Sequence, residues 1–130
     1  MGKSNKKVVG KAIVEIEITQ DDVENIIVNS LEVGSSYWLG LNNSTPEWDE
    51  KPKGVPLSMW AAKLLLDGNF VHLYDIEDND ETFKLNLEKL IAGISIYAKE
   101  HHGGVDKERW DGESADCIVQ YALFGKLVYG

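Results

Sequence analysis

The sequence predicts an α+β fold in which a small antiparallel or mixed sheet packs with about four helices. Two observations carry this prediction. Apolar residues alternate at period two in an N-terminal segment, 8–18, and in a hairpin at 70–85. They recur at helical spacing in four other segments. The length of 130 residues fits one domain. We expect a flexible N-terminus at 1–7 and a single folded unit at 8–130.

The segment 8–18 is predicted to be an N-terminal strand. Its even-numbered positions from Ala12 to Ile18 are apolar, whereas Lys11 and Glu15 occupy odd-numbered positions. Such alternation is typical of a strand with one buried and one solvated face. The strand is expected to complete a sheet with the hairpin.

The four helices are predicted from apolar stripes and from the residues that begin them. Their start signals in chain order are Thr19, Pro56, Asn86 and Ser114. The segment 34–54 between the first two helices is rich in Pro, Asn and Ser and is predicted to be irregular. The last helix, at 115–124, is apolar on two sides, which indicates burial by its own sheet and by another subunit.

The centre of the fold is predicted to be a strand at 70–76, an acidic turn at 77–81 and a strand at 82–85. Both faces of the first strand are partly apolar, so we expect it to be central. A three-stranded sheet leaves open edges, which can pair with another chain. The sequence therefore predicts a homo-oligomer.

Composition excludes several classes of protein. The formal net charge of −9 disfavours a direct binder of nucleic-acid backbones, which needs a basic face. It permits simple solubility, a basic protein partner, or imitation of nucleic acid by carboxylates. No apolar run approaches the roughly 20 residues that span a bilayer, and no apolar core follows the basic N-terminus. We therefore expect no membrane partner and a cytoplasmic protein of a host bacterial cell.

No catalytic or metal motif stands out, so an enzyme, a metal site and a cofactor are not expected. The acidic turn lacks the glycine and the distant glutamate of an EF-hand loop. His101 and His102 are adjacent on a helix and point about 100° apart, which favours a role at the helix end. The single cysteine, Cys117, is interpreted as a small buried hydrophobe rather than a nucleophile.

The best candidate ligand site is the run Arg109, Trp110 and Asp111. A guanidinium can hold phosphate, an indole can stack on a base, and a carboxylate can bind a hydroxyl or an amine. Arg109 is the only arginine of the chain. In the alternative interpretation, Arg109 pairs with a neighbouring carboxylate at the surface and Trp110 packs over the helix start.

Two aromatic residues of the irregular segment are further candidates. Tyr37 and Trp48 lie in a region expected to be a loop, where aromatic rings can form a contact surface. Alternatively, such rings close the end of the core.

Three segments carry a family resemblance: SSYWLG at 35–40, LYDIEDNDETFKLNLEKLIAGI at 73–94, and ADCIVQYALFGKLVYG at 115–130. Within the last, Asp116 and Gln120 share one helix face. The segments resemble small acidic proteins encoded by phages and other mobile elements of Gram-positive bacteria. They are also similar to the first type of Thoeris anti-defence protein. That resemblance implies an oligomeric sponge that sequesters a cyclic ADP-ribose-like signal or a cyclic oligonucleotide between subunits, without catalysis.

Three functions therefore remain open. The first is a counter-defence protein that sequesters a cyclic nucleotide immune signal at a subunit interface, using Arg109, Trp110 and Asp111. The second is an acidic inhibitor that imitates nucleic acid and occupies the basic groove of a host defence nuclease. The third is an accessory mobile-element protein with no ligand.

Overall fold

The computed structural model describes residues 5–130; residues 1–4, which belong to the predicted flexible N-terminus at 1–7, lie outside the described residues. The predicted α+β class is confirmed, with four α-helices and one three-stranded antiparallel sheet in the described part of the chain. In chain order the elements are α1 (Gln20–Asn29), β1 (Leu39–Asn42), α2 (Leu57–Leu66), β2 (Val71–Asp75), β3 (Asp78–Leu85), α3 (Leu87–Glu100) and α4 (Gly112–Phe124).

The third strand of the sheet is not the predicted N-terminal one. The sheet order is β1-β2-β3, and β1 comes from the segment 34–54 that was predicted to be irregular. Residues 8–18 have no regular secondary structure and lie outside the sheet. Leu39, buried in the core, anchors β1 beside β2. The place beside β2 in the sheet is therefore occupied by β1, which has a buried residue. The segment 8–18 has an alternating sequence but does not pair with any strand.

The hairpin is confirmed, but its turn is shorter than predicted. Strand β2 ends at Asp75 and β3 begins at Asp78, so Ile76 and Glu77 form the connection. The acidic residues Asp78, Asp80 and Glu81 belong to β3 rather than to the turn. An edge strand tolerates them because its outer side faces solvent, where charges also discourage pairing with other chains.

Side-chain caps begin three of the helices. Thr19 and Asp22 form a reciprocal capping box on α1, and Asn86 accepts a hydrogen bond from the backbone of α3. The fourth helix begins earlier than predicted, because Asp111 rather than Ser114 is its cap. Asp111 accepts a hydrogen bond from the Ser114 backbone N–H at 3.0 Å. This cap is part of the run that the sequence suggested as a ligand site.

One apolar core lies between the helices and the inner face of the sheet. Val71, Leu73 and Leu85 supply the sheet side of this core. Helices α3 and α4 approach closely at Gly93, where an added Cβ would collide with the backbone carbonyl of Ile118. None of the helices in the described part of the chain combines the length and apolar character needed to cross a membrane.

Candidate functional site

The outer face of the sheet presents a small set of polar and aromatic side chains. Because side chains alternate along a strand, His72 and Tyr74 of β2 lie on the face opposite the core. The register places Asn42 and Lys84 on either side of His72, and Thr82 beside Tyr74. These five side chains form two cross-strand rows on the accessible face.

A glycine on β1 makes room for the aromatic ring in this set. Gly40 is the cross-strand neighbour of Tyr74, and an added Cβ at Gly40 would collide with the end of the tyrosine ring. Glycine weakens a strand interior and often marks a close approach of another group. Gly40 therefore lets the Tyr74 ring lie against the sheet, on the floor of the outer face.

A groove of about 390 Å³ lies over these residues. Its volume falls within the roughly 300–1,000 Å³ of small-molecule sites. The groove, called the sheet groove below, is lined by Asn42, His72, Leu73, Tyr74, Asn79, Thr82, Phe83 and Lys84. None of these residues is a carboxylate, although the chain contains 22 aspartates and glutamates and carries a net charge of −9.

The polar groups of the sheet groove are available to a ligand. In the described residues the His72 ring, the Tyr74 hydroxyl and the Lys84 ammonium form no hydrogen bond with protein. The Lys84 ammonium lies 5.8 Å from the ring centroid of Phe70. A phenol, an imidazole and an ammonium can together contact a flat ring, a hydroxyl and an anion. The groove therefore suits a small ligand with both a ring and negative charge.

A second polar cluster is buried and is organised by Asp116. Ser35 Oγ and Trp38 Nε1 each donate to Asp116 Oδ1 at 2.8 Å. Tyr37 Oη donates to Oδ2 at 3.0 Å, and Gln120 Nε2 donates to Oδ2 at 3.1 Å. These five residues are called the Asp116 network. The carboxylate is only 7% exposed, and its four donors replace the hydration that burial removes.

Together with Tyr129, the Asp116 network connects the segments 35–40, 73–94 and 115–130. Asp116 and Gln120 share a helix face, as predicted, and are hydrogen-bonded. Gln120 Oε1 accepts from the backbone N–H groups of Val128 and Tyr129 at 2.7 and 2.8 Å. The Tyr129 hydroxyl donates to Asp75 at 2.6 Å, at the end of β2. These three segments are thus hydrogen-bonded to one another inside the fold, which gives them a structural role.

These contacts raise the pKa of two tyrosine hydroxyls, those of Tyr37 and Tyr129. Burial and the hydrogen bond to Asp116 raise the pKa of Tyr37. The hydrogen bond to Asp75 and burial raise the pKa of Tyr129 to about 12, and the same bond lowers the pKa of Asp75. Each carboxylate stabilises the protonated phenol that donates to it.

The predicted ligand run is present at the surface, but two of its side chains already have protein partners. Trp110 Nε1 donates to the Gly104 carbonyl at 2.9 Å, and its ring is half-buried. Asp111 caps α4, and hydrogen bonds from Ser114 lower its pKa. Arg109 is exposed and forms no ion pair with the described residues. The run as a ligand site stays a prediction.

Trp110 and Asp111 do border a cleft of about 360 Å³ between α1 and the start of α4. Sequence spacing alone did not indicate the members that lie on α1, because they come about 80 residues earlier in the chain. The polar residues that line it are Asp22, Asn25, Asn29, Lys107, Glu108 and Asp111. Lys107 is paired with Asp22 at 2.8 Å. The three carboxylates outnumber this one ammonium, which makes the cleft unfavourable for an anion.

The two aromatic candidates of the first loop lie apart from that run. Tyr37 is 50% exposed and donates to Asp116, whereas Trp48 is 7% exposed and belongs to the core. Neither residue lines the cleft that contains Trp110 and Asp111. The structure therefore does not gather the five candidate residues into one site. Trp48 occupies the core position that was the alternative interpretation.

His101 and Cys117, the other potentially reactive side chains discussed above, contact neighbouring protein groups. His101 Nε2 lies 2.8 Å from the Tyr121 hydroxyl, and its ring stacks on Tyr97 at 4.4 Å. Cys117 is half-buried, and burial together with the Asp116 carboxylate raises its thiol pKa, which lowers its reactivity. Within residues 5–130 no group of three His, Cys, Asp or Glu side chains could hold a metal ion.

Comparisons with protein-family models, with curated proteins and with solved structures each find no match for this chain.

Proposed function

We propose that this protein is a non-catalytic binding protein that sequesters a small anionic nucleotide in the sheet groove. The ligand class follows from the family resemblance of the sequence, which implies a cyclic ADP-ribose-like signal or a cyclic oligonucleotide. In a phage-infected bacterium such sequestration would act as counter-defence.

One observation carries the proposal: the sheet groove contains no carboxylate in a protein with a net charge of −9. An anionic ligand is repelled by most of such a surface and is tolerated best where negative groups are missing. The α1–α4 cleft, by comparison, holds Asp22, Glu108 and Asp111. The sheet groove is therefore the more favourable of the two for a phosphate-containing ligand.

The groove residues have distinct roles in this proposal. The Tyr74 ring offers a stacking surface, and base–aromatic stacking is worth about 1–3 kcal/mol per base. The Lys84 ammonium supplies a charge-assisted hydrogen bond to a phosphate oxygen. His72 lies between Lys84 and Asn42 in one cross-strand row, so it can donate to the same anion.

Sequestration rather than turnover is supported by the neighbours of His72. A histidine that acts as a general base is usually oriented by a carboxylate. The cross-strand partners of His72 are Asn42 and Lys84, and neither is acidic. The Glu47 carboxylate interacts electrostatically with His72, but among the described residues it forms no hydrogen bond with the His72 ring. The groove thus lacks the hydrogen-bonded pair that activates a base.

The experiment is a thermal-shift screen of the purified protein against cyclic ADP-ribose isomers and cyclic di- and trinucleotides. A ligand that binds only the folded state adds about 2.7 kcal/mol of stability at a hundredfold excess over its dissociation constant. We expect a clear rise in melting temperature with one of these ligands. No rise with any of them would reject the proposed function.

Three variants then assign the site. Tyr74→Ala and Lys84→Ala should each weaken ligand binding by about fivefold or more, since stacking is worth about 1–3 kcal/mol per base and a hydrogen bond to a charged group about 1.5–3 kcal/mol. Arg109→Ala is the matched comparison, because Arg109 is exposed and lies outside the groove. Loss of binding in Arg109→Ala with full binding in Tyr74→Ala would move the site to the run at 109–111.

A second function is favoured by a different observation, the acidic edge of the sheet. Glu77, Asp78, Asp80 and Glu81 are all exposed at the tip and first half of β3. A row of exposed carboxylates can imitate a phosphate backbone and occupy the basic groove of a nuclease. Such binding should weaken steeply as salt rises.

The acidic-inhibitor function is tested by pull-down from host lysate at low and high salt. A nuclease retained at low salt and released at high salt would support it, provided that a variant with Asp78, Asp80 and Glu81 changed to their amides retains none. Capture that is equally strong in that variant would exclude the acidic edge as the binding surface.

A further inference from the structure

Residues 8–18 form an extended segment that has no strand partner. Within the described chain no backbone–backbone hydrogen bond involves these residues. Their apolar side chains are also largely uncovered, since Val9 is 95% exposed and Ile13 is 96% exposed. The segment thus combines a strand-like sequence with free backbone donors and acceptors.

The segment is held in place at its C-terminal end. Ile16 and Ile18 are half-buried, and Ile18 packs against the core. The Lys107 ammonium donates to the Glu17 carbonyl at 2.7 Å. An extended segment that is fixed at one end and has unpaired backbone groups is a template for pairing with another strand.

We propose that residues 8–18 of two copies of this chain pair antiparallel about Ile13 and form a dimer interface. In this register the position numbers of facing residues sum to 26. Lys11 of each copy then faces Glu15 of the other, and Ile13 faces its own counterpart. Val8, Gly10 and Ala12 face the apolar row at positions 18, 16 and 14. The interface is independent of the sheet groove and of its ligand.

Charge and exposure favour this register over its neighbours. Opposite charges that face each other across two strands stabilise the pair, and like charges destabilise it. The two-fold symmetry produces two such Lys11–Glu15 pairs. A shift of the symmetry centre by one residue in either direction would place Ile13 opposite Glu15 or Lys11. Of these three registers, only the one about Ile13 covers this isoleucine with an apolar side chain. The register about Lys11 would place Ile13 opposite Val9, but it would also place Lys11 opposite its own counterpart, which is a like-charge contact.

The surroundings of the segment can accept the second strand. A groove of about 690 Å³ lies between residues 11–18 and α3. Its apolar residues include Ile91, 40% exposed, and Val105, which is also exposed. A second strand beside the first would extend the apolar row over this groove and cover side chains that solvent now contacts.

The test is the molar mass of the intact chain by light scattering across a concentration series. We expect the wild type to approach twice 14.5 kDa. Lys11→Glu and Glu15→Lys should each weaken the dimer by about tenfold or more, because each creates two like-charge contacts. The double variant Lys11→Glu/Glu15→Lys restores both pairs with reversed signs and should recover the dimer.

Two controls match the single charge reversals. Lys6→Glu lies outside the paired segment, and Glu17→Lys faces Val9 rather than a charge, so both should dimerise like the wild type. The proposal is overturned if the wild type is monomeric at about 1 mM, where half of the chains would be paired for a dissociation constant of about 1 mM. A dimer that survives both single reversals, or that Glu17→Lys disrupts as strongly as Glu15→Lys, would also overturn it.

Discussion

Replacing Asp116 by asparagine tests whether the Asp116 network holds the fold together. The carboxylate accepts hydrogen bonds from Ser35 and Trp38 on one oxygen and from Tyr37 and Gln120 on the other. Asparagine keeps the size of the side chain but offers one acceptor oxygen and one NH₂ donor. Whichever way the amide is oriented, two of the four donors lose their acceptor.

The loss of folding free energy in Asp116→Asn depends on which of the four donors can form a hydrogen bond with another acceptor. The indole of Trp38 can only donate, so the amide oxygen is expected to remain on its side. The NH₂ group then faces Tyr37, which is half exposed and can turn to solvent, and Gln120, which is buried. A buried donor left without an acceptor costs about 1–3 kcal/mol. We therefore expect Asp116→Asn to destabilise the protein by about 2 kcal/mol.

Urea denaturation followed by tryptophan fluorescence measures this change. About 2 kcal/mol corresponds to a drop of roughly 8 °C in melting temperature for a chain of this size. Asp49→Asn is the control, because Asp49 is exposed and its carboxylate accepts no hydrogen bond from the described residues. It should stay within about 0.5 kcal/mol of the wild type. If Asp116→Asn does so too, the network does not support the fold.

Three further predictions concern other contacts. Gly40→Ala should destabilise the protein by only about 1 kcal/mol or less, because the new methyl group meets the outer end of the half-exposed Tyr74 ring, which can move aside; thermal denaturation should show this loss recovered in the double variant with Tyr74→Ala. Between pH 10 and 12 the unfolded chain ionises the Tyr129 phenol while the folded chain keeps it protonated beside Asp75, so stability should fall as pH rises. In Tyr129→Phe that part of the fall, measured by urea denaturation at each pH, should vanish. Lys107→Ala should cost about 1 kcal/mol or less in urea, and a loss above about 3 kcal/mol would contradict the weak contribution expected of a partly exposed ion pair.

Local patterns were enough to predict most elements of the fold. The cap at Thr19, the cap at Asn86 and the hairpin centred on β2 all depend on residues within a few positions of one another. The left-handed glycines Gly68 and Gly125 follow helices α2 and α4, where a positive φ is favourable for glycine. Short-range rules capture such features because the interacting groups are neighbours along the chain.

The errors arose where partners are distant in sequence. The alternation at 8–18 is a real strand pattern, but a pattern cannot show whether a neighbouring strand is available. Strand β1 has the sequence LGLN, whose glycine weakens the strand signal, and it forms because Leu39 enters the core. The charges at 78–81 look like a turn, yet an exposed edge strand carries them without penalty.

The sheet groove could not be predicted from the sequence either. Its residues come from three strands, and only the register brings Asn42, His72 and Lys84 into one row. The sequence correctly placed Asp116 and Gln120 on one helix face, but it gave no indication that Ser35 and Trp38 would reach them. A helical face is a local property, whereas contact across about 80 residues depends on the whole topology.

That separation governs how the chain can fold during its synthesis. Ser35 and its acceptor Asp116 are 81 residues apart. A ribosome adds about 5–20 residues per second, so the donors near residue 35 precede their acceptor by about 4–16 s. Until α4 has left the ribosome, the indole N–H of Trp38 cannot form its hydrogen bond with Asp116. The first half of this protein is therefore committed to its final packing only after most of the second half has been made.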